Sequence, residues 1–253
     1  MEISHTGRTV LVTGAARGIG AAIATGFAAA GANVVIADLD EAGAARHAAV
    51  LADTHVVKTL GMGVDVTDEV QVAEAVERAT AAFGSISVLV NNAGISRPGP
   101  TVDTTLDTWD KVLRANLTSA FLCAKYCLPA MRSAGWGRIV SVASFAAKSS
   151  PIYGDNASYA ASKAGILGLT RNLAVEYGPA GITVNAIAPG IVDTELLRSA
   201  HSPERRTELL TKLPTGAFTT PDEIAALALF LASTQAASIT GEVININSGL
   251  YFD

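Results

Sequence analysis

Strand-like apolar runs alternate with helical patterns along almost the whole 253-residue chain. Candidate strands fall at 9–13, 33–37, 56–64, 86–90, 138–142, 183–187 and 243–246. They are rich in β-branched residues and nearly continuous in hydrophobicity, as strands covered on both faces are. Helical patterns fill the gaps, at 21–30, 41–52, 69–83, 106–133, 158–177 and 222–233. Successive βαβ units can close in few ways. They predict a doubly wound α/β fold, a parallel sheet of about seven strands with helices on both faces.

No linker, repeat or low-complexity tract interrupts this order, so one domain is expected over residues 1–253. The exception to the alternation is the stretch 189–220, which follows a strand without a convincing core helix. Excursions of this kind after the C-terminal end of a strand are usually functional, and a substrate lid is expected around 190–215.

Composition excludes several classes. With 49% hydrophobic and 16% charged residues the chain can bury a large core. A net charge of −5 without a basic run argues against nucleic acid as a partner. The most apolar stretch, 224–232, spans about half of a bilayer, so no membrane partner is expected. The N-terminus shows no signal pattern, which favours the cytoplasm. Cys123 and Cys127 are the only cysteines and read as core thiols; the four histidines are scattered, so no metal site is expected. There is no Gly-x-Ser-x-Gly elbow. The sequons at Asn116 and Asn156 are taken as chance matches.

Chemistry enters after the first strand, with Thr13-Gly14-Ala15-Ala16-Arg17-Gly18-Ile19-Gly20. Glycines in a strand-to-helix turn let backbone approach a pyrophosphate, which the helix N-terminus then attracts. Asp38, at the end of the second strand, is suited to accept from adenosine ribose hydroxyls and would repel a 2′-phosphate. Leu39 and Asp40 follow it instead of an arginine, which favours NAD over NADP. Arg17 is the counter-argument, since a guanidinium in the turn can meet a 2′-phosphate. Asp65, followed by Val66 at the third strand end, fits the adenine amino group or, equally, a helix cap.

Tyr159 and Lys163 lie four residues apart on a helical pattern, hence on one face. A phenol is too weak an acid to shuttle protons at neutral pH, and a neighbouring ammonium lowers its pKa. The pair is a candidate general acid/base.

In this order the motifs resemble those of the short-chain dehydrogenase/reductase family. The likeness rests on the Thr13–Gly20 turn, Asn91-Asn92-Ala93-Gly94, Asn116, Ser144, Tyr159 with Lys163, and Pro189-Gly190 with Thr194. It implies a Rossmann-fold oxidoreductase with Tyr159 as acid/base, Lys163 tuning it and binding the nicotinamide ribose, and Ser144 polarising the carbonyl. Asn116 would help hold a water linking Lys163 to solvent. The implied cofactor contacts are Gly14, Arg17, Gly18, Ile19, Gly20, Asp38, Asp65, Val66, Asn92, Ala93, Gly94, Tyr159 and Lys163. Pro189, Gly190, Ile191 or Val192, and Thr194 resemble the segment that holds the nicotinamide carboxamide. Ser141 is a rival for the Ser144 role, lying further down the strand.

Two departures matter. From Ser144 to Tyr159 is 159 − 144 = 15 positions, longer than the family commonly shows. The extra residues, 148–156, border the reaction site and should reshape the substrate pocket. The C-terminal Asn245-Ile246-Asn247-Ser248-Gly249 replaces a common acid-and-glycine ending, often a subunit contact.

The expected activity is NAD-dependent interconversion of a secondary alcohol (a polyol, sugar alcohol, or cyclic or aryl alcohol) and its ketone. Ser144, Phe145, Ile152, Tyr153, Ile191, Leu196 and Leu197 are the expected pocket, with Asn156 a donor to a polyol. A 3-oxoacyl-thioester reductase is the alternative, though the resemblance implies NADP for it. A non-catalytic dinucleotide sensor is a further alternative. The helices at 106–133 and 158–177 are expected to pack between subunits of a homotetramer.

Overall fold

The computed structural model describes residues 3–149 and 157–252. One sheet of seven strands organises them, in the order β3-β2-β1-β4-β5-β6-β7, and every pairing is parallel. The strands are β1 (Thr9–Thr13), β2 (Asn33–Asp38), β3 (Thr59–Gly63), β4 (Val88–Asn91), β5 (Gly137–Val142), β6 (Ile182–Pro189) and β7 (Val243–Ile246). The expected third strand was too long. Val56 is fully exposed, and pairing begins only at Thr59 opposite Val34.

Six long helices cover the sheet: α1 (Gly18–Ala29), α2 (Glu41–Thr54), α3 (Glu69–Phe83), then, past a short α4 (Leu106–Leu113), α5 (Ser119–Ala134), α6 (Ala157–Tyr177) and, last in the chain, α9 (Pro221–Leu231). Alternation along each strand divides the core in two. Val10, Val12, Val34 and Ile36 pack with α1, α2 and α9, while Leu11, Val35, Leu89 and Ile139 pack with α3, α5 and the end of α6. Burying each such side chain contributes about 1.5–3 kcal/mol, so the sheet is the main source of stability.

Helix starts follow local chemistry. Asp68 accepts from the N–H groups of Val70 and Gln71 at the start of α3. Thr220 and Glu223 form a reciprocal capping box ahead of Pro221 at α9. The stretch 189–220 holds two short helices, α7 (Glu195–Ala200) and α8 (Pro203–Leu210).

The helix expected at 106–133 is not continuous. A π-turn, Arg114–Thr118, separates α4 from α5. There the N–H of Ser119 reaches back five residues to Arg114 O, and the Ser119 hydroxyl satisfies Ala115 O at 2.7 Å.

Strand order reverses direction at β1, whose neighbours are β2 and β4. In open parallel sheets the crevice beyond the strand ends at such a point is where ligands bind.

Candidate active site

The loops after β1 and β4 meet in that crevice and are bonded together. Thr13 Oγ1 accepts from the N–H groups of Asn92 and Ala93, both at 3.1 Å. Asn92 Nδ2 returns two bonds, to Thr13 O at 2.9 Å and Gly14 O at 2.8 Å. The contact is so close that Gly14, at φ +63°, has Ala93 Cα only 2.9 Å from where a Cβ would stand. At Gly20 a Cβ would overlap Gly14 O and lie 2.5 Å from Asn92 Nδ2. Gly18 starts α1 and Ile19 is half-buried against the core. Arg17, exposed and extended at φ −158°, is the N-cap, and no side chain caps α1. Its first N–H groups therefore present an uncompensated positive end, which suits a phosphate.

Asp38 ends β2 half-buried. Its Oδ2 accepts from Ala16 N–H at 2.9 Å and its Oδ1 from Asp40 N–H at 3.0 Å, so the carboxylate is aimed by the turn itself. Asp65 is not a helix cap, since Asp68 does that work. Asp65 Oδ1 instead accepts from Thr67 N–H at 2.9 Å and Thr67 Oγ1 at 2.8 Å, closing a local turn. Val66 packs partly against the core under α3.

Beyond β4 and β5 lies the second cluster. On α6, Lys163 is 5% exposed, its Nζ 5.8 Å from the centroid of the half-buried Tyr159 ring. Nζ donates to Val142 O at 2.7 Å. Burial pushes the Lys163 ammonium down to about 8, so it remains largely protonated at neutral pH. The π-turn carries Asn116, 2% exposed, inward. Its Oδ1 accepts from Ile95 N–H at 2.7 Å, while its Nδ2 donates to Ile95 O and Ser162 Oγ, both at 2.9 Å. The Ser162 hydroxyl in turn donates to Tyr159 O at 2.8 Å. Asn116 thus ties the loop after β4, just beyond Gly94, to the helix bearing Tyr159.

Ser144 follows β5, 7% exposed, and its Oγ accepts from Ala146 N–H at 3.1 Å. Its rival Ser141 lies within β5, and its Oγ accepts from Asn91 Nδ2 at 3.3 Å. Phe145 is buried in the turn just after Ser144.

On the far side, Pro189 ends β6 and Gly190 N–H donates to Ile246 O at 3.0 Å. Val192 bridges to Thr219, and Thr194 caps α7 by accepting from Leu197 N–H at 3.3 Å. Ile191 packs with Leu209 and Leu213, and Leu197 joins them. Leu196 is 76% exposed on α7. Neighbours on a helix point about 100° apart, so the face that packs Leu197 partly against Leu209 and Leu213 turns Leu196 out. Ile152, Tyr153 and Asn156 lie outside the described residues.

Three contributors escaped the sequence reading. Thr13 welds the two loops, Ser162 links Asn116 to the Tyr159 backbone, and His47 on α2 meets the glycine turn through Ala15 O at 2.9 Å. Each acts on backbone or side-chain groups that no local spacing reveals.

A family model described as enoyl-(acyl carrier protein) reductase matches residues 14–251. D-threitol dehydrogenase of Mycolicibacterium smegmatis is 42% identical over 243 residues, covering 96% of this chain and 92% of the relative. The chain belongs to the short-chain dehydrogenase/reductase family. It is an NAD(P)-dependent oxidoreductase that interconverts an alcohol and a ketone. Among its relatives in the family, cis-4-hydroxycyclohexanecarboxylate dehydrogenase of Sinomonas cyclohexanicum is also 42% identical, with 96% of each chain covered. The crystal structure of a 3-oxoacyl-[acyl-carrier protein] reductase from Brucella melitensis with bound NAD superposes with a TM-score of 0.92 at 35% identity, covering 100% of this chain and 94% of that one.

Proposed function

We propose that this short-chain dehydrogenase/reductase is an NAD-preferring dehydrogenase of a small polyol or cyclic secondary alcohol, with Tyr159 as its acid/base. The observation that carries the catalytic assignment is the buried Lys163 ammonium beside the Tyr159 ring, on a helix pinned through Ser162 and Asn116. A cation in that position favours the phenolate. In the reductive direction Tyr159 gives its proton to the carbonyl oxygen, and in the oxidative direction it takes the alcohol proton. Ser144 accepts from Ala146 N–H, which leaves its hydroxyl hydrogen to donate to the same oxygen. Asn116 holds the Ile95 segment against α6, and the Lys163 ammonium stabilises the phenolate that Tyr159 becomes when it gives up its proton. The bound dinucleotide supplies the hydride chemistry.

The glycine turn, the uncapped N-terminus of α1 and Asp38 fit a dinucleotide's phosphates and adenosine ribose. Preference for NAD rests on Asp38, whose charge a 2′-phosphate would meet directly. Asp38→Ala is expected to reduce the ratio of kcat/KM for NAD over NADP by about tenfold or more. Equal ratios in both proteins would overturn the assignment. Residues 190–215 are read as the substrate lid, hinged where Val192 meets Thr219. The fold as a whole is read as one domain acting in the cytoplasm. Among the described residues no helix is long and apolar enough to cross a membrane.

A substrate of alcohol type is favoured by two dehydrogenases at 42% identity, one named for a tetritol and one for a cyclic alcohol. The second reading, a 3-oxoacyl-thioester reductase, is favoured by the Brucella structure. Since that structure holds NAD, Asp38 does not separate the two readings, against the sequence-based expectation. Following reduced nicotinamide absorbance across polyols, cyclic alcohols and a 3-oxoacyl thioester separates them. Turnover of the thioester alone would overturn the alcohol assignment.

We further propose a homotetramer. Between α5 and α6 runs a groove of about 320 Å³ lined by Phe121, Lys125, Leu128, Pro129, Leu169 and Tyr177. Phe121 is 49% exposed, and Val175 on the same helix pair 81%. A second copy of this face would bury both. Sedimentation at micromolar concentration is expected to give a tetramer, and a monomer would contradict the proposal.

A further inference from the structure

The peptide joining Ala15 to Ala16 lies midway along the glycine turn, and side chains from two other elements hold both of its polar groups. Its N–H donates to Asp38 Oδ2 at 2.9 Å, and its C=O accepts from His47 Nδ1 at 2.9 Å. A carbonyl oxygen only accepts, so Nδ1 carries the proton. Nε2 of the neutral ring is then an acceptor, and Thr25 Oγ1 on α1 donates to it at 3.2 Å. Both ring nitrogens are engaged, and the imidazole bridges α2, the turn and α1.

The seat of α2 is built for this reach. Gly43 and His47, four residues apart, share a helix face. At Gly43 a Cβ would stand 3.0 Å from Ala16 Cβ, so the first turn of α2 rests directly on the glycine turn. Ala44 and Ala48 bury their small side chains in the same cluster as Ala15.

We propose that His47 is a positioning residue for dinucleotide binding: with Asp38 it fixes the orientation of the Ala15–Ala16 peptide, and so the shape of the phosphate cradle. The inference rests on the reading of this turn as the dinucleotide site. A peptide unit is planar, so rotating it exchanges the directions of its N–H and C=O poles together. The rotation turns on ψ of Ala15 and φ of Ala16, in a turn that continues into the exposed N-cap Arg17. The Ala16 Cβ disfavours a complete reversal but not a partial tilt, which would already swing the carbonyl dipole towards the anion. Asp38 and His47 oppose it from opposite ends. Asp38 therefore has two duties, ribose acceptor and brace, whereas His47 has only the second.

The test compares the wild type with His47→Leu and His47→Asn. Reduced nicotinamide dinucleotide is titrated by fluorescence, and kcat and KM for NAD are measured with the alcohol turned over best. His47→Leu is expected to raise both Kd and KM about 5–10-fold with kcat changed less than about twofold, since one backbone acceptor loses its donor. In His47→Asn the amide nitrogen stands near the Nδ1 position, and affinity is expected within about threefold of wild type. A purely structural role would not give this rescue or this split between KM and kcat. Thr25→Val, at an exposed site, is the further variant should the leucine protein fail to fold, with a twofold to threefold rise expected on the order of a half-lost anchor. Wild-type affinity in the leucine variant, or in Thr25→Val if that must serve, overturns the inference while leaving the cofactor site standing. If the wild type itself binds no nicotinamide dinucleotide, the cofactor reading falls and the inference falls with it.

Discussion

Replacing Tyr159 with phenylalanine is expected to lower kcat by about 10³-fold or more while leaving the affinity for reduced dinucleotide within about twofold of wild type. The substitution removes one oxygen from a half-buried ring and keeps the ring's packing. On the proposed mechanism it takes away the group that exchanges a proton with the substrate oxygen beside a buried cation. Lys163 remains 5% exposed and bonded to Val142 O, so the α6 face stays intact. Ser144 keeps its bond from Ala146 N–H, but it has no buried cation beside it comparable to Lys163. Three decades in rate correspond to about 4 kcal/mol of transition-state stabilisation, the scale expected of a general acid. Steady-state kinetics with a fluorescence titration would check this. Near-normal kcat would remove Tyr159 from the mechanism.

The second large effect concerns Gly20. A single methyl there would overlap the carbonyl oxygen of Gly14, approach Asn92 Nδ2 to 2.5 Å and lie 2.9 Å from Ala15 Cα. Two of these three neighbours are backbone, so no rotamer change relieves the contact. Either α1 moves off the turn or Asn92 gives up its bonds to Thr13 O and Gly14 O. Overpacking of this kind costs about 1–3 kcal/mol before any lost hydrogen bond is counted. Gly20→Ala is therefore expected to lose about 100-fold or more in dinucleotide affinity and at least about 2 kcal/mol in stability. Fluorescence titration and urea unfolding measure the two. Affinity within threefold of wild type, with the fold intact, would show that the contact between the glycine turn and the loop after β4 does not shape the site.

Much of this was legible in the sequence because the signals are local. The start of α3 follows from Asp68 and Glu69, and β7 from a short β-branched run between turns, since capping and strand preference depend on near neighbours. The cofactor turn was legible because glycines at 14, 18 and 20 form a recognisable spacing within eight residues, although the atoms that crowd Gly14 belong to Asn92 and Ala93. The π-turn was not. Residues 114–118 carry no helix breaker, and the extra residue is accommodated because Asn116 finds Ile95 and Ser162 while the Ser119 hydroxyl covers Ala115 O. Those partners exist only once β4 and α6 are in place. The difference between Leu196 and Leu197 is of the same kind, since either leucine suits the helix and only the position of Leu209 and Leu213 decides which is partly covered.

The sequence by itself determined the order of elements, the parallel sheet, the glycine turn and the pairing of Tyr159 with Lys163, all of which rest on periodicity or on spacings of a few residues. Only the tertiary structure decided that Asn116 is spent on Ile95 and Ser162, that Asp65 closes its own turn while Asp38 braces another, and that His47, 32 residues away from Ala15, holds the same peptide. The physical reason is that hydrogen bonds to backbone groups have no residue-type signature at the accepting end. Any residue's carbonyl looks alike in a sequence, and which one a side chain meets is settled by how helices seat on the sheet.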